Sequence, residues 1–387
     1  MKILMLTWNY PPTIGGIEQV AHYTATGLRR LGHDVTVVAS VLPPGAGEAP
    51  EQRPFIHRAD KKGIPAFLLH AVRTGSRLIR RQRPDVLLCP SLTSAPAAWL
   101  LSRRFRIPYA IQIHGSDILL PRRAYQAAIH PLLAGAGGLF ANSRNTARLL
   151  QQRGLQPERI HVVYPGVTPP PTETGPSEKM TALAAAAEGR LVLLTVGRLV
   201  KRKGILEFIR DVMPLLSVRH PDLLYWVVGG EPSSSLIHQE RIADQLAAAI
   251  REGGHENRVR LLGRLADADL ALAYQQADLF VLPCLDDPND VEGFGIVLLE
   301  AALRGVPGVA TRCGGIPDAV MDGQTGVLVP PDDPAAMAGA IEALLERPEQ
   351  RRRLGQAARE RTLARFTWDA VAAQYAEGLR ALLAARS

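Results

Sequence analysis

The stretch Lys2–Ser40, KILMLTWNYPPTIGGIEQVAHYTATGLRRLGHDVTVVAS, decides the architecture. KILMLTW is a short apolar run that stops at polar, proline-containing sequence, which reads as a buried strand. Gly15 and Gly16 then make a turn, and EQVAHYTATGLRRLG is an amphipathic helix. HDVTVVAS is a second apolar strand. A strand, a helix and a strand in this order imply a parallel sheet covered by helices.

The alternation continues outward through PDVLLCP, PYAIQIH, GLFANS and IHVVYPGV. The proline-rich segment TPPPTETGPSE, beginning at Thr168, interrupts it and reads as a linker. A second series follows in RLVLLTVG, LLYWVVGG, RVRLLG, DLFVLP, VPGVAT and TGVLVP. The expected fold is therefore α/β, with two Rossmann-like, doubly wound domains, 1–168 and 169–369, facing across a cleft. Ligands of such sheets bind beyond the carboxyl ends of the strands, so the loops there carry the candidate chemistry.

With 387 residues, 47% of them hydrophobic, the chain is long enough for each domain to bury its own core. Cys89, Cys284 and Cys313 are odd in number, widely spaced and free of metal-ligand patterns, which points to a reducing cytoplasm and no structural zinc. The apolar start is too short for a signal peptide, and no apolar run approaches the roughly 20 residues that span a bilayer. The expected location is cytoplasmic, or peripheral on the inner face of the plasma membrane.

The net charge of +8 hides an asymmetry. Residues 1–168 carry 21 Lys and Arg against 8 Asp and Glu, a net +13, whereas residues 169–387 carry 24 against 29, a net −5. The arginines of the first half cluster as Arg77, Arg80, Arg81 and Arg83, then Arg103, Arg104 and Arg106, then Arg122 and Arg123. Such clusters suit anionic lipid headgroups or an acidic substrate; the alternative is a set of solvated arginine-rich helices. Nucleic acid is disfavoured, because aromatics are only 5% of the chain and no nucleic-acid-binding motif is present.

Four stretches could carry chemistry. Gly15 and Gly16 lack the spacing of a dinucleotide fingerprint, so an ordinary strand-to-helix turn competes with phosphate binding there. In VGRLVKRKG, Arg198, Lys201, Arg202 and Lys203 follow a strand and precede a helix, a place where cations clamp a diphosphate; a solvated basic loop is the competing account, most of all for Lys201 and Arg202. His114 in IQIHGSD stands at a strand end, as a ligand or as a hydrogen-bonded structural residue. In EGFGIVLLE, Glu292 precedes a helix beginning at Ile296 and ending at Gly305, and Glu300 lies within it. Free backbone amides there could face an anion while the carboxylates accept from hydroxyls; the competing account is a tight turn with one solvated and one paired acid. Asp286, Asp287 and Asp290 lack a matching ligand set and read as a solvated acidic loop rather than a metal site.

These four stretches, in this order, resemble the retaining glycosyltransferases of family 4, which have the GT-B fold. EGFGIVLLE matches that family's Glu-x7-Glu motif, GRLVKRKG its phosphate-binding loop, IGG its glycine loop and HGSD its histidine loop. The closing FTWDAVAAQYAEGLRALL looks like the C-terminal helix, about 370–387, that in this family packs back onto the first domain. DVEGFGIVLLEA, GVPGVA and CGGIPDAV look closest to a bacterial subgroup that includes phosphatidylinositol mannoside mannosyltransferases; Gly308 departs from the usual valine or other small apolar residue.

The resemblance implies roles. Gly15 and Gly16, with Arg198 and Lys203, would hold the donor diphosphate. Glu300 would accept from ribose hydroxyls and Glu292 from the donor sugar, beside Gly293, Phe294, Gly295, Ile296 and Val297. His114 would lie against the sugar, and the base would be read near Arg264 and Leu265. No metal or other cofactor is implied. The implied partners are a GDP- or UDP-sugar, best GDP-mannose, and a lipid-linked or glycan acceptor of the cell envelope, with an anionic membrane surface as a further partner. The rival functions are a GT-B nucleotide-sugar epimerase and a non-catalytic nucleotide-sugar-binding subunit.

Overall fold

The computed structural model describes residues 1–13, 15–43, 55–168, 175–231 and 242–385. Most of the proline-rich segment, 169–174, lies outside the described residues, as does Ile14 of the glycine loop. Two units are present: Met1–Gly166 with Thr367–Ser387, and Val167–Phe366.

In the first unit, seven described strands form one parallel sheet: β1 (Lys2–Thr7), β2 (Asp34–Ala39), β3 (Ile56–Arg58), β4 (Val86–Cys89), β5 (Tyr109–Ile113), β6 (Gly138–Ala141) and β7 (Ile160–Val162), in the order β3-β2-β1-β4-β5-β6-β7. Side chains alternate between the two faces. Ile3, Met5, Val35, Val37, Val86 and Leu88 enter one core, and Leu4, Leu6, Val38, Leu87 and Cys89 enter the other. Both faces are covered, so the strands read as continuous apolar runs. The first core is closed by helix Gly16–Arg30 and by helix Trp368–Ala384, which is capped by the Thr367 side chain and puts Tyr375 against Phe140 at 4.8 Å between ring centroids.

In the second unit, β8 (Val192–Val196), β9 (Leu224–Val228), β10 (Val259–Gly263), β11 (Leu279–Leu282), β12 (Gly308–Thr311) and β13 (Gly326–Val329) form a parallel sheet in the order β10-β9-β8-β11-β12-β13. Both sheets thus reverse direction beside their first strand, between β1 and β4 and between β8 and β11. These are the switch points at which doubly wound sheets open a crevice for ligands.

Two details differ from the sequence expectations. β3 was not anticipated, because three residues ending in His57 and Arg58 carry too little alternation to announce a strand. The cysteines are buried and unbridged, but Cys284 and Cys313 are not far apart in space: they follow the neighbouring strands β11 and β12, and Cys313 Sγ lies 3.6 Å from the Cys284 carbonyl oxygen. No helix among the described residues is long and apolar enough to cross a membrane.

Candidate active site

The second unit gathers charge at its switch point. Beyond β8, the backbone runs through Arg198 into a one-turn 3₁₀ helix, Lys201–Lys203, closed by Gly204 in the left-handed conformation (φ 65°). A β-carbon at Gly204 would stand 1.8 Å from the Pro283 carbonyl oxygen, so only glycine lets this turn lie against the segment that follows β11. Leu285 N donates to the Arg202 carbonyl at 2.9 Å and fixes the two segments together. Arg198 itself is exposed at the strand end.

Four ionised side chains meet where these segments touch. Lys203 Nζ lies 2.8 Å from Glu292 Oε2, Arg202 Nε donates to the same oxygen at 3.3 Å, and Arg202 Nη1 donates to Asp290 Oδ1 at 3.1 Å. All four are largely buried, Asp290 being the most open at 13% side-chain exposure. Burial alone would raise the Glu292 carboxyl, but Lys203 and Arg202 outweigh it and hold its pKa at about 2. Arg202 and Asp290 are therefore not members of solvated loops, as their charge suggested; the turn carries Arg202 inward, and Asp290, on the segment after β11, pairs with it. Lys201 does face solvent.

Glu292 is also fixed from behind. Its carbonyl accepts from Gly315 N at 2.8 Å, and a β-carbon on Gly314 would approach that carbonyl to 2.3 Å. The chain then passes Gly293, the buried Phe294, whose ring stands 5.8 Å from that of Phe366, and Gly295, before helix Ile296–Ala302. Its first intrahelical bond is from Leu298 N to the Gly295 carbonyl, so the Ile296 and Val297 amides precede the bonded part of the helix. The helix ends three residues before the expected Gly305, which terminates the following turn.

Glu300 sits on this helix and accepts from the Tyr274 hydroxyl at 2.7 Å. Burial raises its carboxyl pKa, opposed by Tyr274, Arg304 and Lys203. Arg304 stacks over the Tyr274 ring at 5.4 Å. Beyond β10, Arg264 is exposed and donates to the Glu231 carbonyl at 3.0 Å, with Leu265 half-buried beside it.

In the first unit, His114 follows β5 and its Nε2 lies 2.7 Å from the Pro90 carbonyl, beyond β4. Its amide donates to Asp117, 3.1 Å from Oδ1, and its carbonyl accepts from Asn142 Nδ2. The ring is thus held between the ends of β4 and β5, in the manner of a hydrogen-bonded strand-end residue, and is half-exposed. Gly15 and Gly16 open helix Gly16–Arg30 beyond β1, with the Glu18 carboxylate folded over Gly15 and bonded to Asn9 Nδ2 at 2.8 Å.

Sequence reading left Arg202 between a phosphate clamp and a solvated loop, took Asp290 for a solvated acid, and missed Tyr274 and the Gly314–Gly315 support. Tyr274 is 26 residues from the glutamate that it orients, and nothing in its local sequence signals that contact. Among the described residues no group of three or more His, Cys, Asp or Glu side chains is placed to hold a metal ion.

Two family descriptions match the chain: "Glycosyl transferase 4-like domain" over residues 15–166 and "Glycosyl transferases group 1" over residues 178–361. The chain is 30% identical to the GDP-mannose-dependent alpha-(1-6)-phosphatidylinositol monomannoside mannosyltransferase of Mycolicibacterium smegmatis, covering 97% of each chain. It is 29% identical to a glycogen synthase of Mycobacterium tuberculosis, covering 97% of this chain and 94% of that one. Among solved structures, Anabaena HepE in complex with UDP and glucose superimposes with a TM-score of 0.75 at 22% identity, over 98% of this chain and 99% of that one.

Proposed function

Because the chain belongs to glycosyltransferase family 4 and has the GT-B fold, we propose that it moves a hexose, with retention of anomeric configuration, from a nucleotide-sugar to a lipid-linked or glycan acceptor of the cell envelope. GDP-mannose is the first candidate donor, in line with the GDP-mannose dependence of the Mycolicibacterium relative; UDP-hexoses come next, in line with the UDP and glucose held by HepE.

One observation carries this reading: Lys203, Arg202, Glu292 and Glu300 occupy a single crevice side of the second sheet, mixing cations with carboxylates that accept hydrogen bonds. Arg198 and Lys203 would stabilise the charge on the departing diphosphate, most effectively once water is excluded. Glu292, ionised at any working pH, is suited to accept from sugar hydroxyls and unsuited to shuttle protons. That weighs against the epimerase, which needs an acid and a base at the sugar. Glu300, braced by Tyr274, would take the ribose hydroxyls.

The basic face of the first unit supports a membrane-borne acceptor. Arg73, Arg77, Arg80 and Arg81 are exposed on helix Ile64–Gln82, and Leu69 and Leu100, about half exposed, are displayed on this helix and on helix Ala95–Phe105. Some of that charge also covers aromatic rings, with Arg80 and Arg104 over Phe105 and Arg103 over Trp99.

Incubation with GDP-mannose, UDP-glucose, UDP-galactose or UDP-N-acetylglucosamine, each with and without membrane lipid extract, tests the reading. Transfer of the sugar to a lipid or glycan product, or slow donor hydrolysis without acceptor, is expected. An epimerised donor, or binding with no turnover under any condition, would contradict it.

A further inference from the structure

The reading given above uses Arg202 only as one of the cations of the crevice, yet it is about as deeply placed as Lys203, at 8% against 7% side-chain exposure. Its backbone is fixed by the Leu285 N bond to its carbonyl and by the contact of Gly204 with Pro283. Its side chain therefore leaves the turn in one direction, and its planar fork serves two carboxylates at once, Glu292 through Nε and Asp290 through Nη1. A lysine, a single point charge, does not reproduce that geometry.

The charges balance as two cations, Lys203 and Arg202, against two anions, Glu292 and Asp290. Other titratable groups facing Glu292 come from the ends of β11 and β12: the Cys284 thiol, whose sulfur is 4.0 Å from Oε2, and the nearby Cys313 thiol. Neither brings positive charge. Take Arg202 away and Glu292 and Asp290 both lose the guanidinium that they share. Lys203 would then be bound to Glu292 at the moment when a diphosphate also requires it.

We propose that Arg202 is a positioning residue for sugar transfer: its guanidinium pairs with Asp290 and shares Glu292 with Lys203, which leaves Lys203 able to turn toward the donor's diphosphate. This rests on the reading of Glu292 as the sugar ligand and Lys203 as a phosphate ligand. Arg202 touches neither sugar nor phosphate in this scheme.

The test is the pH profile of donor turnover, measured for the full chain as wild type, Arg202→Gln, Asp290→Asn, the double variant and Glu292→Gln. Arg202→Gln should lower kcat by about 10²-fold and bring in an acidic limb at about pH 4–6 that the wild type lacks, since Glu292 then protonates within reach. The double variant should lose the limb, because one cation again meets one anion, and regain only part of kcat, because Lys203 no longer shares Glu292 with Arg202. Asp290→Asn alone, which leaves an excess positive charge, should bind GDP or UDP more tightly, by roughly threefold. A flat profile for Arg202→Gln, a double variant no better than the single one, or weaker nucleotide binding by Asp290→Asn would overturn the inference alone. If Arg202→Gln does not fold, the Asp290→Asn binding measurement decides. Wild-type turnover by Glu292→Gln would instead overturn the sugar-ligand reading, and this inference with it.

Discussion

Glu292 and Glu300 stand eight residues apart on one loop and helix, and their surroundings push them in opposite directions. Glu292 is held at about 2, below the ordinary glutamate value near 4.3, so it stabilises the fold fully above that ordinary value and the contribution is lost as pH falls toward 2. Glu300 is raised by burial, so its ionised form costs stability above its folded pKa and the cost is relieved as pH falls. At pH 7 the amide variants should therefore diverge. Glu292→Gln leaves two buried cations undercompensated and should cost about 3–5 kcal/mol. Glu300→Gln, which keeps an acceptor for Tyr274, should melt no lower than wild type while losing affinity for the nucleotide. Thermal unfolding with and without GDP or UDP checks both, and a lower melting temperature for Glu300→Gln would count against the assignment. For turnover, Lys203→Ala and Arg198→Ala should each lose about 10²–10³-fold in kcat, measured at saturating donor. Glu292, Glu300, Arg198 and Lys203 were legible because glycine turns and strand ends mark their positions. The inward placing of Arg202 and Asp290 was not, because sequence displays charge but not the 3₁₀ turn that carries Arg202 or the course of the segment after β11 that carries Asp290.

At the scale of elements, the twelve strands anticipated from apolar runs are present, since most are buried on both faces and so are apolar throughout; β7 and β10, at or near sheet edges, are only partly buried. What local sequence could not show was which element braces which. Gly204 illustrates this: its need for glycine comes from Pro283, nearly 80 residues further on. Gly204→Ala should destabilise the second unit by at least about 2 kcal/mol, with melting falling by about 2–4 °C per kcal/mol for a body of this size, and should lower turnover by moving Lys203. The helix Ile64–Gln82 makes a separate prediction. If its exposed arginines meet an anionic membrane, each contributes about 1 kcal/mol, and the attraction is screened beyond about 8 Å at physiological ionic strength. The protein should pellet with anionic vesicles at low salt, be released by high salt and ignore neutral vesicles. Replacing Arg77, Arg80 and Arg81 with glutamine should weaken pelleting and leave nucleotide binding intact. Equal pelleting with both vesicle types would point to a soluble acceptor.

For the whole molecule, the two sheets share one strand order with the site residues of each unit clustered beyond their strand ends, and the chemistry concentrates in the second unit. Its paired carboxylates are engaged with cations or with a tyrosine, and none is poised as a base that would activate an acceptor for inversion. The proposal that the transfer retains configuration can therefore be tested on the product itself. The most direct measurement is the anomeric NMR coupling of the product formed from the α-linked donor that is turned over. Retaining transfer predicts an α-linked glycoside, abolished by Lys203→Ala; a β-linked product, or a free epimerised nucleotide-sugar, would contradict it.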